Sequence, residues 1–204
     1  MNTHADLPRD LTGAFPDTPD QLAQLRDRLA VAAHTDGILD IAYRTVDSPV
    51  GTLLLAATEL GLVRVAYASQ DHDTVLQSLA DRVSPRILHA PARLETTARE
   101  LDEYFAGRRH AFDLRLDWRL AVGFRRAVLH RLPSIGYGRT ASYTDIAQLV
   151  GNPKAVRAVG TACATNPLPV VVPCHRVVRS DGTIGQYAGG TEAKKALLAL
   201  EAAT

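Results

Sequence analysis

The chain has 204 residues, of which 46% are hydrophobic and 22% charged, and its formal net charge is +1. This composition predicts a folded protein of one or two domains and excludes a chain that is disordered or strongly basic throughout. Cys163 and Cys174 are too few for a disulfide framework or a cysteine-rich zinc site. The N-terminus lacks the apolar core of a signal peptide, and no segment approaches the roughly 20 apolar residues of a membrane helix. We therefore expect a cytoplasmic protein without a membrane partner, in a compartment where thiols stay reduced.

Residues 1–37 are predicted to form an N-terminal extension. Its first part is polar and contains prolines, which is typical of a flexible lead. Thr18 and Pro19 then have the residue types of a helix cap and a first helical turn. Leucines at helical spacing follow, so the pattern predicts a short helix over 19–34 that ends before Gly37.

Residues 38–117 are predicted to form a small α+β domain. Three short apolar segments, ILDIAYRTV, GTLLLAAT and GLVRVAYAS, are separated by turn residues and predict three strands of an antiparallel meander. Helical spacing of apolar residues predicts helices over 73–82 and 92–105. The alternating segment AFDLRLDW, residues 111–118, predicts one more strand.

Residues 118–204 are mainly helical in pattern. One helix is predicted around Phe124 to Leu132, and a last helix over TEAKKALLALEA. Between them, a helix is predicted to begin at Ala141 or Ser142 and to end at Gly151 and Asn152. Pro153 then begins a second helix. This outline indicates a DNA-binding helix-turn-helix, although a plain αα-hairpin has the same pattern.

The segment PLPVVVPCHRVV, which starts at Pro167, holds the candidate nucleophile. A free thiol is only a few per cent thiolate at neutral pH, and a nearby base or positive charge raises that fraction. His175 and Arg176 directly follow Cys174 and supply both kinds of group. Neighbours in a strand point to opposite faces, so a buried structural cysteine beside a surface histidine remains an alternative.

The residues around this cysteine favour a pocket. Each proline disfavours helix at the residue before it, which predicts a stiff, extended segment behind the thiol. The glycine-rich stretch SDGTIGQYAGG follows and carries Tyr187. Its glycines allow the backbone to approach a flat ligand closely, although ordinary loop glycines would look the same.

From Phe124 to Glu201 the sequence resembles the 6-O-alkylguanine-DNA alkyltransferases, also called methylated-DNA–protein-cysteine S-methyltransferases. The resemblance rests on these pieces in this order: SIGYG, SY, IA, GNPKAVRAVG, NPLPVVVPCHRVVRSDGTIGQYAGG and LLALE. It extends loosely back to Leu39. It implies an α+β fold with a small N-terminal antiparallel sheet and helices (ribonuclease-H-like), followed by a mainly helical C-terminal domain with a helix-turn-helix.

The resemblance implies a single-turnover DNA-repair reaction without a cofactor or metal. Cys174 would take the alkyl group irreversibly from 6-O-alkylguanine in duplex DNA, with 4-O-alkylthymine as a second candidate lesion. Glu201 would polarise His175, which acts on the thiol through a water. Tyr143 would supply the proton that the leaving guanine needs.

The resemblance also assigns the contacts to the lesion and to DNA. Substrate contacts fall to Asn166, Val177, Tyr187 and Ala188, and minor-groove contacts to Ala155, Val156 and Arg157. In the family the arginine takes the place of the flipped base in the stack. Position alone suggests phosphate contacts from Arg125, Arg126 and Lys154. We expect a monomer in solution.

Several departures and alternatives accompany this prediction. The family often has alanine at the position of Val156 and serine at that of Ala188, the segment DWRLAVGF departs from the usual start, and residues 1–37 have no counterpart in the compact members. A non-catalytic lesion-binding relative would lack the cysteine, which is present here. A regulatory helix-turn-helix protein would not need Pro-Cys-His-Arg, and a cysteine hydrolase would turn over repeatedly. Cys163 is expected to be a packing residue.

Overall fold

The computed structural model describes residues 18–203, so the predicted polar lead over residues 1–17 lies outside them. Helix α1 (Pro19–Thr35) begins where predicted, with the Thr18 hydroxyl accepting the Gln21 N–H at 3.3 Å. The helix ends before Gly37, whose φ of 67° suits glycine. Ala30 and Ala33 are its buried side chains, whereas its three leucines stay exposed.

The N-terminal domain is built on a four-stranded mixed sheet of order β3-β2-β1-β4. The predicted meander is confirmed as β1 (Ile41–Val46), β2 (Leu53–Thr58) and β3 (Gly61–Tyr67), all paired antiparallel. The prediction of a purely antiparallel sheet was wrong in one respect. A fourth strand, β4 (Ile87–His89), pairs parallel to β1, because α2 (His72–Arg82) carries the chain back to the other edge.

Both faces of this sheet are covered, which explains why β2 is apolar and buried along its whole length. Leu54 lies in a cluster with Val75 and Leu79 of α2. Leu53 and Leu55 point the opposite way, into the main core that also contains the buried residues of the C-terminal domain. The second face of the sheet is therefore what joins the N-terminal domain to the rest of the protein.

The strand predicted over 111–118 does not form. Alternate residues of the segment are indeed half-buried, and Phe112, Leu114 and Leu116 pack against the main core. The backbone, however, meets the sheet only at a single bridge between Leu62 and Leu116. The alternating pattern therefore reflects burial of one side of the segment, and it does not show that the segment pairs with a strand of the sheet. The preceding helix, α3 (Glu95–Phe105), begins later than predicted, after a short 3-10 turn over Pro91–Leu94.

The C-terminal domain contains α4 (Gly123–Arg131), α5 (Tyr143–Leu149), α6 (Val156–Ala164) and α7 (Gly190–Ala202). A short parallel pair, β5 (Ala141–Ser142) and β6 (Val177–Val178), joins the helical part to the thiol segment. None of the helices described over residues 18–203 is long and apolar enough to span a membrane.

Helices α5 and α6 form the predicted helix-turn-helix, with one difference. Ser142 caps α5 reciprocally with Asp145, with N···O distances of 3.1 and 2.8 Å. The second helix does not begin at Pro153 but at Val156, since the Ala155 N–H closes a turn on the Asn152 carbonyl at 3.0 Å. Pro153 therefore lies in the turn and not in the helix.

Leu55 provides a test of the interface between the sheet and the C-terminal domain. Leu55→Ala should lower the free energy of unfolding by about 2–5 kcal/mol, because it leaves a cavity at a fully buried position. Leu60→Ala is the matched control, since Leu60 is 55% exposed, and should cost about 0.5 kcal/mol or less. Urea denaturation followed by circular dichroism measures both, and equal losses would contradict this placement of Leu55.

Candidate active site

The candidate nucleophile lies at the end of a buried turn. All residues from Asn166 to Val178 are buried. The predicted extended conformation behind the thiol was wrong, because the Val172 N–H donates to the Leu168 carbonyl at 2.8 Å and Val170 has a φ of 72°. That conformation is rare for a β-branched residue and costs about 1–3 kcal/mol, so the surrounding core must hold it. A single 3-10 turn, Cys174–Arg176, then presents the thiol, imidazole and guanidinium.

Asn166 fixes the thiol of Cys174. Its Nδ2 lies 3.1 Å from Sγ and 2.8 Å from the Val172 carbonyl oxygen, while its Oδ1 accepts the Leu168 N–H at 3.0 Å. Cys174 is 1% exposed, and burial raises the pKa of its thiol to about 11 against the opposing effects of Asn166 and Lys194. The resting residue is therefore a neutral thiol, and it needs a base to react.

The predicted base, His175, directly follows Cys174 in the chain, and its Nε2 lies 2.9 Å from Oε1 of Glu201. Burial raises the pKa of Glu201, but hydrogen bonds from His175 and Arg176 outweigh it and bring the pKa to about 2. Glu201 is therefore a carboxylate that can only accept, so the imidazole proton lies on Nε2. Nδ1 is left as an acceptor. It is buried and has no hydrogen-bond partner among residues 18–203.

Arg176 completes the surroundings of Glu201. Its Nε and Nη2 each lie 2.9 Å from a carboxylate oxygen, and its Nη1 donates to the Ile135 carbonyl at 2.6 Å. The Gly138 N–H donates to Oε2 at 3.2 Å. Burial, with a contribution from Arg176, lowers the pKa of His175 despite the carboxylate beside it. His175 is therefore neutral at neutral pH, which is the form that can take a proton from a thiol.

Lys194 is a buried basic residue that acts electrostatically on the thiol and lowers its pKa. Its side chain is fully buried, and Nζ donates to the Val177 carbonyl at 2.5 Å. Burial lowers the pKa of this ammonium group, whereas Cys174 raises it. An ammonium at this position favours the thiolate electrostatically. Val177 is one of the residues predicted to contact the substrate through its backbone, and its carbonyl accepts this hydrogen bond from Lys194.

Two predicted tyrosines lie on the glycine-rich side of the site. Tyr187 is buried, its ring meets that of His175 edge-on at 6.3 Å, and its hydroxyl lies 2.9 Å from that of Tyr67. Tyr143 is half-buried and its hydroxyl packs closely against Gly185, where a Cβ would clash. Burial raises the pKa of Tyr143, so its hydroxyl keeps its proton. Ala188 is half-buried beside Tyr187.

The predicted DNA-contacting residues lie at the start of α6. Ala155 and Val156 are half-buried there, and Arg157 is exposed in the first turn. Cys163 is buried further along the same helix, and burial raises the pKa of its thiol strongly. Its position agrees with a packing role. No group of three or more histidine, cysteine or acidic residues within 18–203 is arranged to hold a metal ion.

Sequence reasoning missed four residues of this site: Tyr67, Tyr104, Arg176 as a Glu201 ligand, and Lys194. Tyr67 and Tyr104 look like ordinary apolar positions of a strand and a helix. Tyr104 nevertheless donates to Glu201 across a separation of 97 residues. Lys194 stands beside the exposed Lys195 in the sequence, and only helical spacing with the buried Leu197 hints that it points inward.

Comparison with known proteins agrees with this arrangement of a sheet domain followed by a mainly helical domain. The ribonuclease-like domain of 6-O-methylguanine DNA methyltransferase matches residues 41–118, and the DNA-binding domain of the same family matches residues 123–203. The two matched domains define the class as that of a two-domain DNA-repair methyltransferase. The chain belongs to the 6-O-methylguanine DNA methyltransferase family.

Individual relatives support this assignment over most of the chain. It is 40% identical over 161 residues to the methylated-DNA–protein-cysteine methyltransferase of Mycolicibacterium paratuberculosis, covering 79% of this chain and 92% of the relative. It is 35% identical to the bifunctional transcriptional activator and DNA repair enzyme Ada of Escherichia coli, covering 94% of this chain and 55% of Ada. A crystal structure of Mycobacterium tuberculosis OGT in complex with DNA matches with a TM-score of 0.69 at 37% identity, covering 79% and 93% of the two chains.

The depressed pKa of Glu201 predicts a pH-dependent stability. A carboxyl pKa lowered from 4.5 to about 2 corresponds to about 3 kcal/mol, which is fully present above pH 4.5 and is lost as the pH falls towards 2. Glu201→Gln should therefore lower the free energy of unfolding by about 3–5 kcal/mol at pH 7, because it also leaves Arg176 buried without its counter-ion. The deficit relative to wild type should shrink between pH 5 and 3.

Urea denaturation across this pH range measures the deficit. Glu192→Gln on the same helix is the matched control, because the Glu192–Lys195 pair is exposed and should contribute little. A Glu201→Gln deficit that stays constant from pH 7 to 3 would contradict the assignment of a low native pKa to Glu201.

Proposed function

We propose that Cys174 takes the alkyl group from 6-O-alkylguanine in duplex DNA, once per molecule, with His175, Glu201 and Tyr143 as the acid–base groups. The observation that supports this best is the presence, on adjacent residues, of two buried contacts: Asn166 with the Cys174 thiol, and His175 with Glu201. The same activation of a buried thiol would serve 4-O-alkylthymine, which we keep as a second lesion.

The reaction is a substitution at the saturated carbon of the alkyl group. The thiol proton passes to Nδ1 of His175, directly or through a water, and the sulfur attacks the carbon. The S–C bond forms as the O–C bond breaks, and the bond electrons go to the guanine oxygen. Tyr143 donates the proton that lets guanine leave neutral, which its burial-raised pKa supports because the hydroxyl is protonated at neutral pH. The product is a thioether, which has no leaving group that water could displace readily.

The lesion would be held between the thiol turn and the glycine-rich loop. Asn166 holds the sulfur, Tyr187 forms a wall of the pocket, and backbone groups of Val177 and Ala188 face the base edge. Gly189 supports this arrangement, since a Cβ there would lie 2.6 Å from the Tyr67 ring. Cys174 is only 1% exposed, so entry of the base requires the residues over the thiol to move apart.

The base must leave the duplex to reach this thiol. We propose that the start of α6 enters the minor groove, where Ala155 and Val156 are small enough for close contact and Arg157 fills the vacated place. Exposure of Arg126 and Lys154 supports their predicted phosphate contacts. Arg125 is a weaker candidate, since its guanidinium already donates to the Leu120 carbonyl.

Every group of the proposed reaction comes from one chain, which supports action as a monomer. The two cysteines among the described residues are free, as suits a reducing compartment such as the cytoplasm. A non-catalytic lesion-binding protein is the main alternative, and the hydrogen-bonded thiol of Cys174 argues against it.

The proposed reaction makes a prediction about the nucleophile. After mixing with a duplex that carries one 6-O-methylguanine, the wild-type protein should gain a single methyl group on the peptide containing Cys174. Cys174→Ala should gain none yet retain DNA binding, whereas Cys163→Ala, the matched control, should be methylated normally. Intact-mass and peptide mass spectrometry measure this. Methylation of Cys174→Ala, or tight lesion binding by wild type without any mass gain, would refute the proposed reaction.

A second prediction concerns base flipping by Arg157. Arg157→Ala should slow transfer from duplex DNA by about 10- to 100-fold, since flipping costs a few kcal/mol, and should leave transfer from the free modified base unchanged. Arg108→Ala removes an exposed arginine from the N-terminal domain and serves as the control for charge. Single-turnover kinetics on both substrates measure the effect. Equal slowing on duplex and free base would exclude the flipping role.

A further inference from the structure

Tyr104 joins the N-terminal domain to the buried acid–base pair. It lies near the end of α3 and is fully buried. Its hydroxyl lies 2.7 Å from Oε1 of Glu201 and 3.5 Å from Nε2 of His175. The residue therefore touches the proposed relay from a domain that carries none of the predicted site residues.

The direction of this hydrogen bond follows from the charges. Burial and the carboxylate of Glu201 both raise the pKa of Tyr104, so the phenol keeps its proton. Glu201, with its pKa of about 2, has no proton to give. Tyr104 is consequently the donor and Glu201 the acceptor, and such charge-assisted bonds are among the stronger ones in proteins.

Oxygen Oε1 of Glu201 is shared by three side chains. Besides Tyr104, it accepts from His175 Nε2 at 2.9 Å and from Arg176 Nη2 at 2.9 Å. These donors approach from different elements, namely α3 and the thiol turn. The bonds from Tyr104 and Arg176 reduce the negative charge that Glu201 presents to His175. Together the three bonds hold the carboxylate in one orientation.

The ring of Tyr104 is itself held firmly. It contacts the rings of Phe105 and Phe112, both at 5.3 Å, and that of Tyr137 edge-on at 6.1 Å. The hydroxyl position is thus determined by ring packing with Phe105 and Phe112 of the N-terminal domain and with Tyr137 of the C-terminal domain. A hydroxyl placed in this way can orient a neighbouring group without loss of its own side-chain freedom at the moment of reaction.

We propose that Tyr104 is a positioning residue for alkyl transfer: its hydroxyl holds the Glu201 oxygen that binds His175 and thereby sets the orientation and basicity of the imidazole. The inference rests on the proposed function of His175 and Glu201. It assigns the N-terminal domain a part in the chemistry, beyond its contribution to the core.

The proposal predicts a change in basicity with a definite sign. The groups that face His175 are Glu201, Arg176, Lys194, Tyr187 and Tyr104. Without the Tyr104 hydroxyl, Glu201 keeps more of its negative charge for His175 and favours the protonated imidazole. The pKa of His175 then rises. Because the protonated ring cannot accept the thiol proton, the acidic limb of the pH–rate profile should move to higher pH.

The test is Tyr104→Phe, with Tyr137→Phe as the matched control. Tyr137 stands beside Tyr104, and its hydroxyl is buried without a hydrogen-bond partner among the described residues. Tyr104→Phe should slow single-turnover transfer to Cys174 by about three- to tenfold at neutral pH and move the acidic limb up by about half a unit. The slowing should be equal on duplex and on free 6-O-methylguanine, because the chemistry and not flipping is affected. Tyr137→Phe should change neither.

Urea denaturation of both variants establishes that they are folded under the assay conditions. An unchanged rate and pH profile in folded Tyr104→Phe would overturn the proposal. Equal slowing by Tyr104→Phe and Tyr137→Phe would overturn it too, since the cause would then be the loss of any buried hydroxyl from this core.

A double-mutant cycle with Glu201→Gln separates this inference from the reaction on which it rests. If Tyr104 acts through Glu201, Tyr104→Phe should add no further slowing in the Glu201→Gln background. The same slowing in both backgrounds would overturn the positioning role while leaving the proposed reaction intact. Failure of the reaction itself would be recognised separately, by methylation of Cys174→Ala.

Discussion

The rest of the site depends on the hydrogen bonds that the buried carboxylate of Glu201 accepts. It accepts hydrogen bonds from Tyr104, His175, Arg176 and the Gly138 backbone, which lie on three separate parts of the chain. A charge at this depth is tolerated only when its hydrogen-bonding capacity is filled. The requirement that keeps Glu201 ionised is therefore also the requirement that brings the N-terminal domain, the thiol turn and α7 into one arrangement.

This dependence gives the two-domain architecture a physical meaning. The sheet contributes Tyr67, whose hydroxyl lies 2.9 Å from that of Tyr187, and the Val65 N–H donates to the Pro167 carbonyl at 2.8 Å, just before the thiol turn. Helix α3 contributes Tyr104. The N-terminal domain thus contacts the candidate site at Tyr187, at the backbone before Cys174 and at the Glu201 carboxylate. It carries none of the residues proposed for minor-groove contact, which lie at the start of α6.

Much of the fold could be predicted from the sequence, because local patterns determine it. The meander, α1, α2 and the helix-turn-helix follow from periodicity and caps such as Ser142. The parallel strand Ile87–His89 could not be predicted, since three residues carry no clear period and their partner lies in β1. The strand predicted over residues 111–118 was wrong for a different reason, because burial of one side produces the same alternating pattern as a strand.

Cys174 and His175 could be found through the family motif, but their geometry depends on a turn at Val170 that no residue propensity favours. Tyr104 and Lys194 were missed because their polar atoms act over contacts far apart in sequence.

The burial of Cys174 affects how readily its thiol is oxidised before the protein binds a lesion. Peroxides and disulfides react with thiolates, so a thiol with its pKa raised to about 11 and only 1% of its surface exposed is a poor target for them. The proposed reaction consumes the sulfur, so each molecule can react only once. Burial of the Cys174 thiol thus has two effects. It makes a base necessary for the reaction, and it protects the thiol from oxidation before the protein binds a lesion.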